Sequence, residues 1–400
     1  MSWLDDQGGL DVDLDGKGDV IIDYHWCDYG SVDSRFFAAF KRFKREGIIS
    51  IECWSSGCQE TCKAECAREK IPMTGGESDP QIYPPAYNYL DFTYGGQCAG
   101  LIDWYLHNKW PKRGTGEKMK VAFLTWDSGY GRGPIEPCTM LGELTGEYEV
   151  VASRFCTTLP TDPEVMGFLT EFKKMGVDFV YSNTIVQCPA VIVKGAHKLG
   201  LQGKMQIAAN SWSPPDQIMD IIGPEAAEGY MSAVDVYVPS CEPEKEGVQF
   251  AKMLNDTYRG SQACPNVMYL RGIQWKSTCL ENYRRALIGI MERDKCDLNT
   301  ACERLTGEEF MKYGLMTIKG WSPYGVCPPL GGPRGKDDRI YSPNHHVHGI
   351  VNGKVTILSD WHENPRTIPP ELLEAGYYAD ENITDASRYI RYLTPEELGK

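Results

Sequence analysis

Short apolar runs alternate with amphipathic stretches along most of this chain. Residues 19–24 (DVIIDY) predict a strand. From Asp33 to Glu46, Phe36, Phe37, Phe40 and Phe43 recur at helical spacing, and Gly47 stops the run. Ile48–Cys53 predicts the next strand, Cys58–Glu69 a helix, Ile71–Thr74 a strand, and Gln97–Trp110 an amphipathic helix.

Residues 111–118 (PKRGTGEK) form a polar connection, after which the pattern restarts. Met119–Thr125, Tyr148–Ala152, Asp178–Tyr181 and Gln206–Ala209 predict strands. Gly133–Leu144, Asp162–Met175 and Pro189–Leu199 predict helices, the last two stopped by Gly176 and Gly200. Such alternation means parallel sheets covered on both faces, and two such blocks predict two α/β lobes. Two further helices follow at 243–259 and 265–292, then a Gly/Pro-rich loop at 319–339. Val347–Ile350 and Val355–Leu358 flank Asn352-Gly353, a hairpin signal. A tail, Pro-rich and then acidic, closes the chain at 363–400.

Composition narrows the function. With Lys+Arg 41 against Asp+Glu 55, the net charge of −14 argues against a nucleic-acid partner, which needs clustered basic residues. No run reaches the roughly 18 consecutive apolar residues of a membrane span. Fifteen cysteines, an odd number, cannot all pair within one chain. Most sit among apolar residues and read as small buried hydrophobes kept reduced.

Several segments, in order, carry a resemblance. FKRFKREGIISI (40–51), KIPMTGG (70–76), KMKVAFLTWDSGYGRG (118–133), FKKMGVDFVY (172–181), AHKLGL (196–201) and VNGKVTILSDW (351–361) resemble type I periplasmic solute-binding proteins of ABC transporters, of the Leu/Ile/Val-binding kind. The resemblance implies a two-lobed, hinged α/β fold, each lobe a mostly parallel sheet flanked by helices. Lobe one would comprise residues 1–117 plus 264–318, and lobe two 118–263 plus 340–362. It also implies a binder rather than an enzyme: the component of an importer that captures a small polar solute between its lobes by hinge closure. Its partner would be a membrane permease, and it would act as a monomer in the periplasm or outside the cell. Such proteins open with a strand and a long helix, and MSWLDDQGGL resembles the end of that helix. An opening strand and a leader are therefore expected upstream of Met1. A sheet lacking that strand is expected to leave an open apolar slot.

Ser55 and Ser56 precede a predicted helix, where hydroxyls and free backbone N–H groups make an anion site. The competing reading is ordinary helix capping. The resemblance adds Ser78, whose neighbours Glu77 and Asp79 depart from the family's small residues. From lobe two it adds Tyr130, Thr184, Asn210 and Trp212, and from the returning helix Tyr269. For Tyr130 the alternative is a turn tyrosine packed on its own lobe. The family holds an α-ammonium with a carboxylate just after the strand matched by Gln206–Ala209. Here Asn210-Ser211-Trp212-Ser213 follows, with no acid before Asp216. That favours an amide or an aromatic or planar solute over leucine, while Glu77 and Asp79 leave a second route, holding the ammonium of an amino acid from lobe one.

No cofactor and no metal site are expected. Cys58, Cys62 and Cys66 climb one helix face over roughly 12 Å, too far for one ion. His346 and His348 alternate in a strand and read as structural. Gly129–Gly133 lacks the G-x-G-x-x-G spacing, and no G-x-S-x-G or H-E-x-x-H occurs. Two other classes fit the same architecture: the sensing module of a receptor or regulator, and an α/β enzyme acting on a small substrate.

Overall fold

The computed structural model describes residues 2–75, 87–89, 92–261, 265–332, 340 and 344–364. The chain divides into two units. The first combines Met1–Glu77, Ile82–Asp91 and Val236–Ser342; the second combines Ser78–Gln81, Phe92–Asp235 and Pro343–Lys400.

The strands, in chain order, are β1 (Ile51–Cys53), β2 (Met73–Gly75), β3 (Met119–Trp126), β4 (Tyr148–Cys156), β5 (Phe179–Ser182), β6 (Gln206–Ala209), β7 (Met231–Val234), β8 (Asn344–Val351), β9 (Lys354–Ile357) and β10 (His362–Glu363). The second unit holds an eight-stranded sheet ordered β10-β8-β7-β6-β5-β3-β4, with β9 paired to β8. From β4 to β7 the pairing is parallel; β8, β9 and β10 join antiparallel. β3 shows why both faces are covered. Ala122 and Leu124 pack against Val165, Leu169 and Phe172 of helix Asp162–Met175 and against Ile192 and Val193 of helix Gln187–Lys198. Val121 and Phe123 point the other way, onto Cys98, Leu101 and Ile102 of helix Tyr94–Asn108 and Cys138 and Leu141 of helix Ile135–Thr145.

Local chemistry sets the boundaries. Thr161 and Glu164 close a capping box at the start of helix Asp162–Met175, and Gly176 ends it at φ 71°. Asn352 and Gly353 both take positive φ, as a two-residue hairpin turn requires.

Two stretches fall outside the lobes predicted for them. Residues 92–117 join the second unit because helix Tyr94–Asn108 buries its apolar face on β3 and β5. Residues 236–263 join the first unit, where Phe250 of helix Glu246–Arg259 stacks on Tyr324 at 4.8 Å.

In the first unit β1 and β2 pair in parallel, Ile51 opposite Met73 and Cys53 opposite Gly75. Phe36 and Phe40 of helix Asp33–Arg45 pack with these strands and with Cys58, Cys62 and Cys66 of helix Ser56–Glu69. The cysteine stripe is thus part of a core, and burial pushes the Cys62 thiol up to about 12. The reading of reduced cysteines fails at one pair: Cys53 and Cys58 form a disulfide, Cα atoms 6.4 Å apart. The chain turns back between the end of β1 and the first turn of the helix, which brings the two Cβ atoms within bonding reach.

Residues 19–24 do not form the predicted strand. Only Val20 bridges, antiparallel to Leu10. A strand needs a ladder partner, and beyond Val20 this segment borders a groove of about 490 Å³ instead. Residues 48–52 and Cys279, Tyr283 and Leu287 of helix Val267–Asp294 contribute to its lining. Ile21 and Trp26 are each 72% exposed beside it.

β8 and β10 bury their histidines. Burial holds His345 well below the ordinary histidine range, with His362 and His346 adding to the effect; burial alone lowers His348 to about 3. His362 is lowered by burial as well. These rings stay neutral in the fold while the unfolded chain takes up protons below pH ~6.5. Stability is therefore greatest above that pH and falls as pH drops, by about 1.4 kcal/mol per pH unit for each such histidine. Urea unfolding of the protein should show its midpoint falling steadily between pH 7 and pH 5. A constant midpoint across that interval would contradict the buried, neutral assignment.

Candidate functional site

Parallel strands β3, β5 and β6 end at one edge of the second unit's sheet, and the residues after them form one network. After β3, Ser128 caps the short helix Gly129–Arg132 by accepting the Gly131 N–H at 3.1 Å. Gly131 is required there: a Cβ would lie 2.1 Å from the Trp126 carbonyl oxygen. The Thr125 hydroxyl lies 3.1 Å from the carbonyls of both Gly131 and Asn183. This ties the loop after β3 to the loop after β5 and holds Tyr130 over both.

Asn210, fully buried after β6, is the hub. Its amide donates to the Tyr130 hydroxyl at 2.7 Å and to Asn183 Oδ1 at 2.8 Å, and its Oδ1 accepts the Trp212 N–H at 3.0 Å. Asn183 Nδ2 in turn donates to the Tyr130 carbonyl at 2.6 Å. Both amide hydrogens of Asn210 are committed, so its role is to position Tyr130 and Trp212.

Tyr130 and Trp212 stay half-buried. Trp212 Nε1 donates to the Tyr94 hydroxyl at 2.9 Å, and the Tyr94 ring lies edge-on to Tyr130 at 4.8 Å. Trp126 approaches Tyr130 at 6.0 Å. Thr184 is fully buried; its hydroxyl shares a hydrogen bond with Ser182 at 2.8 Å, and its carbonyl accepts from Ser213. Asp216 is half-buried; desolvation raises its carboxyl above the usual range, and Asp220 adds to the shift.

Tyr130, Asn210 and Trp212 of the four residues predicted for the second lobe thus meet in one network; Thr184 is buried behind it and tied to Ser182 and Ser213. Sequence reasoning missed Tyr94, Trp126 and Asn183. Asn183 stands immediately after a recognised strand, like Asn210, and that position could have revealed it. Tyr94 carried no such signal, because its helix was assigned to the other lobe.

In the first unit, Ser55 caps helix Ser56–Glu69, accepting the Cys58 N–H at 3.2 Å. Ser56 is buried beside it with no hydrogen-bond partner for its hydroxyl. The Gln59 amide donates to the Gly75 carbonyl, so the helix start is joined to the end of β2. Trp54 and Trp275 pack at 4.0 Å. Ser78, Glu77 and Asp79 lie outside the described residues. Tyr269 lies elsewhere, in an apolar cavity of about 380 Å³ lined also by Trp3, Phe250, Ile273, Leu280 and Tyr324.

Among the described residues, metal-type donors meet at two exposed places. Asp11, Asp13 and Asp15 bring carboxylate oxygens within 4.8 Å of one another, and with Gly16 they match the D-x-D-x-D-G start of a calcium loop, which sequence reading overlooked. Asp103, His107 and Glu147 form a second group. Exposed acidic groups of this kind are common without an ion.

A mixed, mainly parallel sheet carrying an aromatic and amide cluster at its strand ends is suited to holding a small solute. A profile of the periplasmic binding protein family matches residues 5–275 of the 400, and the chain belongs to that family. Its members bind small solutes outside the cytoplasm and work with ABC transporter permeases. Among solved structures, the chain is similar to a branched-chain amino acid ABC transporter protein from Thermus thermophilus with bound valine, at 18% identity and TM-score 0.69, over 91% of this chain and 89% of that one. It is also similar to a substrate-binding protein from Aeropyrum pernix, at 17% identity and TM-score 0.73, over 94% and 88%. A fatty acid ABC transporter substrate-binding protein from Thermomonospora curvata matches at 15% identity and TM-score 0.68, over 91% and 85%. A search of curated protein sequences gives no match.

Replacing Asn210 tests the network. Asn210→Ala leaves Asn183 Oδ1 and the Trp212 N–H short of a partner, and should cost about 1–3 kcal/mol in urea unfolding. Tyr130→Phe removes one acceptor and should cost less, about 0.5–1.5 kcal/mol. Equal stabilities for wild type and Asn210→Ala would show that the hub is not carrying these loops.

Proposed function

We propose that this chain is the solute-binding component of an ABC importer and captures a small planar or aromatic polar solute against the Tyr130 and Trp212 rings. It acts as a monomer outside the cytoplasmic membrane and releases its solute chemically unchanged. One observation carries the solute class: the hydrogen bonds joining Tyr130, Asn183, Asn210 and Trp212 involve amides, a phenol and backbone groups, and no carboxylate. A desolvated ammonium group needs a carboxylate partner, and without one its burial is unfavourable. Half-buried aromatic faces instead favour stacking on a flat π-system. The saturated Asn210 amide removes the direct amide contact expected from sequence. The rings are left as the recognition surface.

Calorimetric titration with leucine, isoleucine, valine, phenylalanine and a panel of aromatic acids and amides tests the class. Aromatic or amide ligands should bind at micromolar or tighter Kd, leucine should bind at least tenfold more weakly, and Trp212→Ala should lose most of the affinity. Each tenfold loss corresponds to about 1.4 kcal/mol. Micromolar leucine binding with the aromatic panel silent would overturn the proposal. Recovery of a chemically altered ligand would overturn the reading as a binder.

A further inference from the structure

Two buried cysteines meet behind the loops that carry the aromatic cluster. Cys156 is the last residue of β4 and Cys188 lies in the first turn of helix Gln187–Lys198; they are 6% and 0% exposed. Their sulfurs lie 3.1 Å apart, so only about 1 Å of approach separates them from the length of an S–S bond. The Cys156 sulfur also faces the Thr125 carbonyl at 3.5 Å. The hydroxyls of Thr184 and Ser182 act on Cys188 in the sense that favours its thiolate. Thr125, Ser182 and Thr184, beside the pair, belong to the scaffold beneath the candidate site.

We propose that Cys156 and Cys188 form a second disulfide, tying the end of β4 to the Ser182–Cys188 segment that carries Asn183 and Thr184. The sulfur geometry supports this whatever the solute. In the fold, the contact with Cys156 favours the Cys188 thiolate against the opposing effect of burial, while the same contact and burial raise Cys156. In the open region either thiolate can attack first, and the steps are the same with the two exchanged.

The oxidant is a disulfide such as glutathione disulfide. The Cys188 thiolate attacks one of its sulfurs and expels a glutathione thiolate. The Cys156 sulfur then attacks Cys188 in the mixed disulfide and expels the second glutathione. Two electrons pass to the oxidant, and the two thiol protons end on the two glutathione thiols. Because neither sulfur is open to solvent in the fold, exchange takes place while this region is transiently open. The closed bond spans 32 residues of sequence separation, a loop long enough to restrict the unfolded chain substantially.

The reduced full chain is equilibrated in glutathione redox buffer with sub-denaturing urea, and the oxidised fraction is raised until Cys53–Cys58 is recovered oxidised. The sample is acid-quenched, alkylated under denaturing conditions and digested without reduction. A peptide linking Cys156 to Cys188 is expected. So is a melting temperature several degrees above that of the reduced wild type, a comparison that needs no variant. In Cys156→Ser, Cys188 should be recovered alkylated while Cys53–Cys58 stays oxidised. Recovery of both Cys156 and Cys188 alkylated from a sample whose Cys53–Cys58 is oxidised overturns the proposal, as does Cys188 linked to any other cysteine.

Discussion

Parallel strands all end at the same edge of their sheet, and the second unit's site follows from that constraint. β3, β5 and β6 are neighbours in register, Val121 beside Phe179 and Phe179 beside Gln206. Three loops far apart in sequence must therefore emerge side by side. Each leaves a buried strand end, and each must satisfy its backbone polar groups away from water. The Thr125 hydroxyl and the Asn183 and Asn210 amides do so, and in the process they fix Tyr130 and Trp212 in place.

Fixing these rings has consequences for recognition. A side chain whose hydrogen-bonding groups are already used reorganises little when a solute arrives, so less binding energy is lost to ordering. It also has little left to offer a polar ligand. The cluster thus exchanges direct amide contacts for rigid aromatic surfaces. The nearby Asp216 is half-buried, and desolvation shifts its carboxyl toward the neutral form.

The first unit is held differently. Its described sheet has two strands, and much of its cohesion comes from helix Val267–Asp294 and from polar ties. Lys276 is paired with Glu52 and donates to the Tyr24 hydroxyl at 2.7 Å. Burial alone would lower its pKa, but Glu52 and Tyr24 outweigh that and leave it raised, so it stays charged beside the groove. The Cys53–Cys58 bond secures the segment between β1 and its helix, where Ser55 and Ser56 lie.

Periodicity alone made the second unit legible. The elements from Met119 to Ala209 follow the apolar pattern because a strand buried on both faces and a helix buried on one each impose a fixed spacing. Tyr130, Thr184, Asn210 and Trp212 follow the ends of these strands, but their choice as candidates came from the family resemblance and not from the periodicity. Three things were not legible. Whether DVIIDY becomes a strand depends on a ladder partner, which no local pattern supplies. Where helix Tyr94–Asn108 packs depends on which sheet accepts its apolar face. Whether Asn210 meets a solute or its own neighbours depends on Asn183 and Tyr130, 27 and 80 positions away in sequence. Local sequence thus determined which segments are helix or strand and which residues stand at strand ends. Only the tertiary structure decided which groups saturate one another, because a hydrogen-bond partner is chosen by distance in space, and spacing along the chain does not encode that.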